Sequence, residues 1–429
     1  MKLAIILAIS TLASAQVYSA RTDLNIAQAG YPPTVRAGAN TIVFDPDFGT
    51  RVVRATDKTT DRNVGFNVGT GRRVFNADST RFVFVSNDGW NYVANFDPVG
   101  MTVRLNPAWE KIAGSFSWSS INRDVLYSVQ GSKIVKYTFD GDVSTESNVF
   151  DFAPWVKLPN YTWRSNFTVG AGDMTFAVGF SAGPQGTGFI ACQYTVGKGA
   201  RVLNTQTGRV SGQWGVLGTI DIPDRFFLHE VGMSAGGDYV ILGRNISRGD
   251  TATHSNYYWQ ADSLKVTYWD LYGNQAVEGH PAQGYVHTIN AGGEFGGEVI
   301  RPYTDLLAWR ELVPVIPSGI EPPFDSHSSW NNDDPEDTNP FCNIVASVTR
   351  PFPAAWYNEV LMIDPVDGTV YREAHTYNTG TSVYFSTANA IGSVSTDGRF
   401  VIFPSDWMKT LGTDKAGQPL GSLFIVELR

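Results

Sequence analysis

Cys192 and Cys342 are the only cysteines in 429 residues. They stand about 150 positions apart, so no disulfide framework organises the chain and its stability must come from packing. Charge is sparse as well. Charged residues make up 17% of the sequence, which excludes an acidic disordered chain and a coiled coil. Basic residues are outnumbered, 32 Lys and Arg against 41 Asp and Glu, for a net charge of -9. A nucleic-acid partner would need a basic surface, so none is expected. After the first fifteen residues no apolar run approaches the roughly 18–20 residues that cross a bilayer, so no membrane partner is expected either. What the chain does have is 43 glycines, 22 prolines and 13% aromatics. That mixture suits many short strands joined by tight turns. The length would allow several domains, but closed all-β folds run long as one, with a core large enough to need no staples.

Residues 1–15 read as a secretory leader. Lys2 gives the positive start, Leu3–Ala13 the apolar stretch, and Ala13-Ser14-Ala15 the small-residue cleavage site. The mature domain is then expected to span 16–429, as a secreted protein or, in a bacterium, a periplasmic one. A monomer is expected.

A repeat is legible near the C-terminus. In Ile391–Phe403 an alternating strand runs into Ser395-Thr396-Asp397-Gly398, and a β-branched and aromatic strand follows. Related segments are Val74–Phe84, Phe116–Tyr127, Phe167–Val178, Val231–Leu242, Thr288–Ile300 and Ser328–Val348. Their spacing of roughly 40–70 residues matches propeller blades with loop insertions. Third strands follow at Tyr92–Asp97, Lys133–Asp140, Leu264–Leu271 and Val360–Asp364, and Thr369–Glu373 supplies an outer strand. Thr41–Asp57 looks like outer strands without an inner one, and Leu423–Leu428 ends a unit that lacks its outer strand. The two halves should complete one blade, giving an all-β, seven-bladed propeller of four-stranded blades closed by the N- and C-terminal strands. About twenty-eight strands are expected. At its Ser-x-Asp-Gly turns the chain resembles TolB-type propellers, whose repeat carries Ser-Pro-Asp-Gly; proline is missing throughout here.

In a propeller the first strand of each blade lines the channel, and its start opens on the same face as the loops between second and third strands. Counting back from the turns puts His229, His287 and His327 at one channel position in blades four, five and six. Arg72 and Arg164 occupy related positions elsewhere. Arg244, Arg301 and Arg350 end the second strands of the same three blades, an arrangement suited to gripping carboxylate. Tyr257, Tyr258 and Trp259, Tyr303, Trp356 and Tyr357, and Trp407 crowd the adjoining loops, where aromatic faces suit sugar rings. His375 borders the same face. Asp333, Asp334, Glu336 and Asp337 form an acidic turn on the opposite face, read as solvated rather than as a calcium loop. His254 and His280 fall in loops without a constellation.

No acid occupies the ring positions in this reading, although Glu230 and Asp325 are close in sequence, so the two carboxylates of a glycosidase are missing. β-Elimination on a uronic acid fits histidine, arginine and tyrosine better. It needs a base for the α-proton, a cation for the carboxylate and an acid for the leaving oxygen. His287 or His229 is the expected base, Arg244, Arg301 and Arg350 the carboxylate clamps, and Tyr303 the acid. The histidine-bearing ring resembles propeller polysaccharide lyases, above all oligogalacturonate lyases. That resemblance implies an anionic polysaccharide or oligosaccharide as substrate. It also implies a divalent metal, manganese or calcium, held by the histidine trio, although no glutamine ligand can be placed beside it, and a metal-free role of the trio as base and acid stays open. The alternative is a non-catalytic secreted propeller that binds glycan or protein on the same face.

Overall fold

The computed structural model describes residues 20–27, 31–35, 37–57, 72–86, 90–105, 111–156, 167–170, 172–181, 188–222, 225–244, 254–270, 280–282, 284–289, 298–313, 324–347, 354–379, 391–413, 417 and 419–428. The leader lies outside them. Seven antiparallel blades form a ring, built from 31 strands among the described residues. The excess over the expected number comes largely from blade three, which adds Arg209–Gly212 and Gly218–Thr219 outside its four strands. No α-helix occurs among the described residues.

Both ends of the chain close the ring in blade seven. Its inner strands Ser393–Val394, Phe400–Ser405 and Ser422–Glu427 come from the C-terminal part, and Arg51–Arg54 and Ile42–Phe44 from the N-terminal part. The register Val52↔Val426, Val53↔Ile425 fixes the seam. Strand side chains alternate between faces, and here each face is a blade contact. Val53, Phe400 and Ile425 pack toward Phe82, Phe84 and Phe96 of blade one. Val52, Phe403 and Val426 pack toward Ile344 and Met362 of blade six.

The repeat's turns have a local cause. Ser395 Oγ accepts the amides of Arg399 and Phe400 at 3.1 and 3.0 Å and donates to Asp397, while Gly398 takes φ 69°. Ser234 does the same for Asp238 and Tyr239, with Gly237 at φ 80°. A short oxygen five residues before the strand and a residue free of a Cβ at positive φ are what such a turn requires. These first-to-second-strand turns also join neighbouring blades. Asn76 donates to the Arg123 carbonyl at 2.9 Å, and Ser119 to Asp173 at 2.6 Å.

Two expectations are corrected. In blade five the strand order is His280–Pro281, Tyr285–Ile289, Glu298–Pro302 and Arg310–Val313. The repeat segment Thr288–Ile300 therefore covers the second and third strands. Its glycine-rich segment 290–297, which lies outside the described residues, imitates the turn in sequence, while Ala282 and Gly284, between the first and second strands, supply neither serine nor aspartate. The acidic turn of blade six is only partly solvated: Glu336 is exposed and Asp334 half-buried, but the other two acids are engaged. Asp333, with a side chain 2% exposed, pairs with Arg73 at 3.2 Å, and Asp337 accepts the Gly284 amide at 2.8 Å. Beside them the Asn331 amide donates to the Arg72 carbonyl and to Ser329 and Ser393. This segment ties blade six to blades one, five and seven. Cys192 and Cys342 are free and buried, and burial pushes both thiols upward in pKa.

Candidate functional site

His229 lies near the mouth end of blade four's first strand, Leu228–Met233, next to the Leu228↔Arg244 pair. His327 lies on blade six's first strand, Phe324–Ser329, paired with Ile344 and 7% exposed. His287 is not on a first strand. It sits on the second strand of blade five, directly opposite His280 on the first. The histidines on first strands of blades four to six are therefore His229, His280 and His327. They are not level: His280 and His327 stand nearer the turn face than His229 does. The displacement follows from the one-strand offset in blade five and the longer turn of blade six. The side chains of His229, His280 and His287 lie outside the description.

Around these strands the channel collects buried charge. The Arg72 guanidinium lies 5.6 Å from the Phe116 ring centroid. Desolvation lowers its pKa to about 10, against the opposing pull of Glu230. Glu230, 8% exposed, comes from the same strand as His229 and pairs with Gly243. A Cβ on Gly243 would stand 2.6 Å from Glu230 Cγ, so the glycine is what lets this side chain cross the second strand. Glu230 also raises the pKa of Tyr258, which burial already pushes up and Arg301 pulls down. Arg244, 5% exposed, closes the second strand of blade four at the mouth, as expected. A carboxylate is thus part of this constellation, contrary to the acid-free ring read from sequence. His229 and Glu230 are neighbours in sequence, and the signal that could have set Glu230 apart was the glycine opposite it. His280 was hidden because Pro281 and the short turn mask its strand.

Several other expectations fail for a shared reason: aromatic residues assigned to loops are core. Tyr257, Tyr258 and Trp259 belong to blade four's third strand, His254–Gln260. Tyr257 stacks on Phe226 at 4.2 Å, and Trp259 lies 4.8 Å from the Arg201 guanidinium, donating to the Ser263 carbonyl. Tyr258 points the other way, against Tyr303. Tyr303 follows the third strand of blade five, on the turn face. It is 1% exposed, its hydroxyl donates to the Ala282 carbonyl at 3.4 Å, and burial raises its pKa well above the phenol range. It cannot act as an acid at the mouth. Arg301 is on that third strand rather than ending the second, and donates to the Leu306 carbonyl at 2.6 Å. Burial lowers its pKa. Trp356 and Tyr357 pack in the core of blades five and six. Trp407 stacks on Phe424 at 4.1 Å and donates to the Pro33 carbonyl. Arg164 and Arg350 lie outside the described residues.

His375 does not border the channel. It ends the outermost strand of blade six, Val370–His375, where its Nε2 meets Asp47 Oδ2 at 2.9 Å. Beside it Arg372, 0% exposed, makes two 2.7 Å hydrogen bonds to Glu359 and two more to the Asp23 and Asn25 carbonyls.

The ring and its channel define a seven-bladed β-propeller. No family model matches the chain, and no curated protein sequence is significantly similar to it. Among solved structures it is similar to an oligogalacturonate lyase from Vibrio parahaemolyticus, with 10% identity, a TM-score of 0.57, and coverage of 90% of this chain and 96% of that one. It is also similar to an oligogalacturonate lyase in complex with manganese, at 12% identity and a TM-score of 0.58, covering 91% and 96%. The expected resemblance to oligogalacturonate lyases is therefore present in the fold. At these identities it is a likeness of fold.

Proposed function

We propose that this chain is a secreted polysaccharide lyase that cleaves a uronic-acid-containing glycan by β-elimination at the channel mouth. The observation that carries the reading is the buried Arg72–Glu230 pair, with Arg244 at the mouth, among first strands that bear His229, His280 and His327. The fold shared with oligogalacturonate lyases supports it.

Elimination removes the proton α to the uronate carboxylate, and negative charge then spreads onto that carboxylate. The bond to the leaving glycosidic oxygen breaks as the ring double bond forms, and the oxygen takes up a proton. Arg72 and Arg244 are the carboxylate clamps. A guanidinium at the channel's desolvated wall meets an anion with less competition from water. His229, beside Arg244, is the base, since imidazole exchanges a proton near neutral pH. Glu230 holds Arg72 in charge balance before the substrate arrives. Of the first-strand histidines only His327 has a described side chain; with His229 and His280 on the neighbouring blades it would be the set to hold a divalent ion, manganese more than calcium because nitrogen ligands favour the transition metal. When bound, such an ion would neutralise the substrate carboxylate.

The test is a panel of polygalacturonate, alginate and glycosaminoglycans, read by the ultraviolet absorbance of unsaturated uronate products. A rise with one polymer, abolished in His327→Ala while glycan binding persists, is the expected result. Binding without product on any polymer would identify a glycan-binding module instead.

A further inference from the structure

A second constellation lies far from the channel, on the rim where blade six meets the N-terminal strands of blade seven. Asp45 and Asp47 come from the hairpin between Ile42–Phe44 and Arg51–Arg54, and His375 ends the outermost strand of blade six. One donor atom from each falls within 4.8 Å of the others. Asp45, 1% exposed, accepts the His375 amide at 2.9 Å and the amides of Asp47 and Phe48 at 3.0 and 3.2 Å. These bonds fix the hairpin against the neighbouring blade. The Phe48 ring meets His375 edge-on at 4.9 Å and closes one side of the site. The Asp47 side chain, 26% exposed, leaves a path to solvent.

Two further features fit a cation at this cluster. Tyr377, 3% exposed, packs on His375 with ring centroids 5.3 Å apart. Its hydroxyl lies close to the Asp45 and Asp47 carboxylates. The local charge is also unbalanced. Four carboxylates, of Asp23, Asp45, Asp47 and Glu359, surround two guanidiniums, Arg21 and Arg372, and each guanidinium already has a carboxylate partner.

We propose that Asp45, Asp47 and His375 bind a divalent transition-metal ion, zinc or manganese, that staples blade six to the N-terminal strands closing the ring. An imidazole with two carboxylates is a borderline donor set, which disfavours calcium and magnesium, and the Tyr377 oxygen completes the inner wall. The ion replaces the His375–Asp47 hydrogen bond with shared coordination and neutralises the excess negative charge. Because its ligands come from segments more than three hundred residues apart, binding stabilises the closed ring over the open chain. This site is independent of the channel reading.

The experiment is calorimetric titration of chelator-treated full-length protein with zinc, manganese and calcium separately, paired with thermal unfolding. Asp47→Asn, His375→Gln and, as a channel control, His327→Ala are compared with the wild type. Zinc or manganese is expected to raise the wild-type and His327→Ala melting temperatures by several degrees, and calcium to do little. Asp47→Asn and His375→Gln should bind about tenfold or more weakly, with the shift lost. An unchanged shift in both rim variants, or no calorimetric binding of zinc or manganese in excess of the channel's share in His327→Ala, overturns the proposal. Circular dichroism before metal addition separates a variant that has lost its ligand from one that has not folded.

Discussion

Arg372 on the rim and Arg72 in the channel are both buried guanidiniums, yet they are buried in different ways. Arg372 meets the Glu359 carboxylate with two 2.7 Å bonds and gives its remaining donors to backbone carbonyls of the N-terminal segment. Arg72 lies over an aromatic ring, its pKa drawn down to about 10 by desolvation, with Glu230 opposing through its field. A guanidinium whose fork is filled by protein acceptors belongs to the architecture. One that lies on an aromatic face with a carboxylate in its field can exchange that partner for a ligand's negative charge. The first question for the rim is therefore what breaks the fold, and for the channel what breaks binding.

The sharpest break is predicted at the rim. Glu359→Ala leaves Arg372 buried with only the longer 3.5 Å pairing to Asp23, and removing one partner of a buried pair typically costs about 3–5 kcal/mol. The expected result is a melting temperature lowered by many degrees in thermal unfolding, with the seam between blades six and seven opening first in hydrogen exchange. A loss below about 1 kcal/mol would mean that solvent reaches Arg372, and the contrast with Arg72 would fail.

How much of this was legible in the sequence differs between the same two regions. Blade seven could be read because Ser395, Asp397 and Gly398 each do a separate job in one turn, and because strands at both chain ends lacked partners. Blade five was read one strand out of place because its real turn carries no such residues. Site residues suffered more. Arg72 and Arg244 were found from their place relative to turns. Glu230 was missed because what sets it apart is the glycine opposite it, a cross-strand fact. The aromatics were misplaced because sequence cannot distinguish a loop platform from a third strand whose alternate residues face two neighbouring blades, as Tyr257 and Tyr258 do. The Arg372–Glu359 pair and the Asp45–His375 contact join distant segments, and no local pattern announces them.

In the channel the comparison predicts an effect on binding with little effect on the fold. Arg72→Met keeps the stem's apolar packing on Phe116 and removes a desolvated charge. Combined with Glu230→Gln, so that no buried carboxylate is left without its cation, the substitution should change stability by less than about 1 kcal/mol. Affinity for an oligogalacturonate, measured by calorimetry, should fall about tenfold or more. A large drop in stability with unchanged affinity would place Arg72 with Arg372 as an architectural cation.

Asp406 tests the comparison from the acid side and should give the smallest effect. It stands near the blade-six to blade-seven seam and accepts the Thr379 amide at 3.1 Å and the Thr379 hydroxyl, with Lys409 adding a weaker pull. Burial outweighs these bonds and raises its pKa above the ordinary carboxylate value. The folded state therefore holds this proton more tightly than the unfolded chain does. Between the ordinary and the raised pKa the native state binds the extra proton, so this group's contribution to stability grows as pH falls through that window and declines as pH rises through the raised value. Asp406→Asn keeps the acceptor for the Thr379 amide and removes the buried charge. Relative to the variant, the wild type should be less stable at neutral pH and should close the gap on mild acidification, in melting temperatures measured from neutral to pH about 4. A gap that widens in acid would mean that the Thr379 bonds hold the carboxylate in its charged form. Asp406 would then join Glu359 as a carboxylate satisfied by its neighbours.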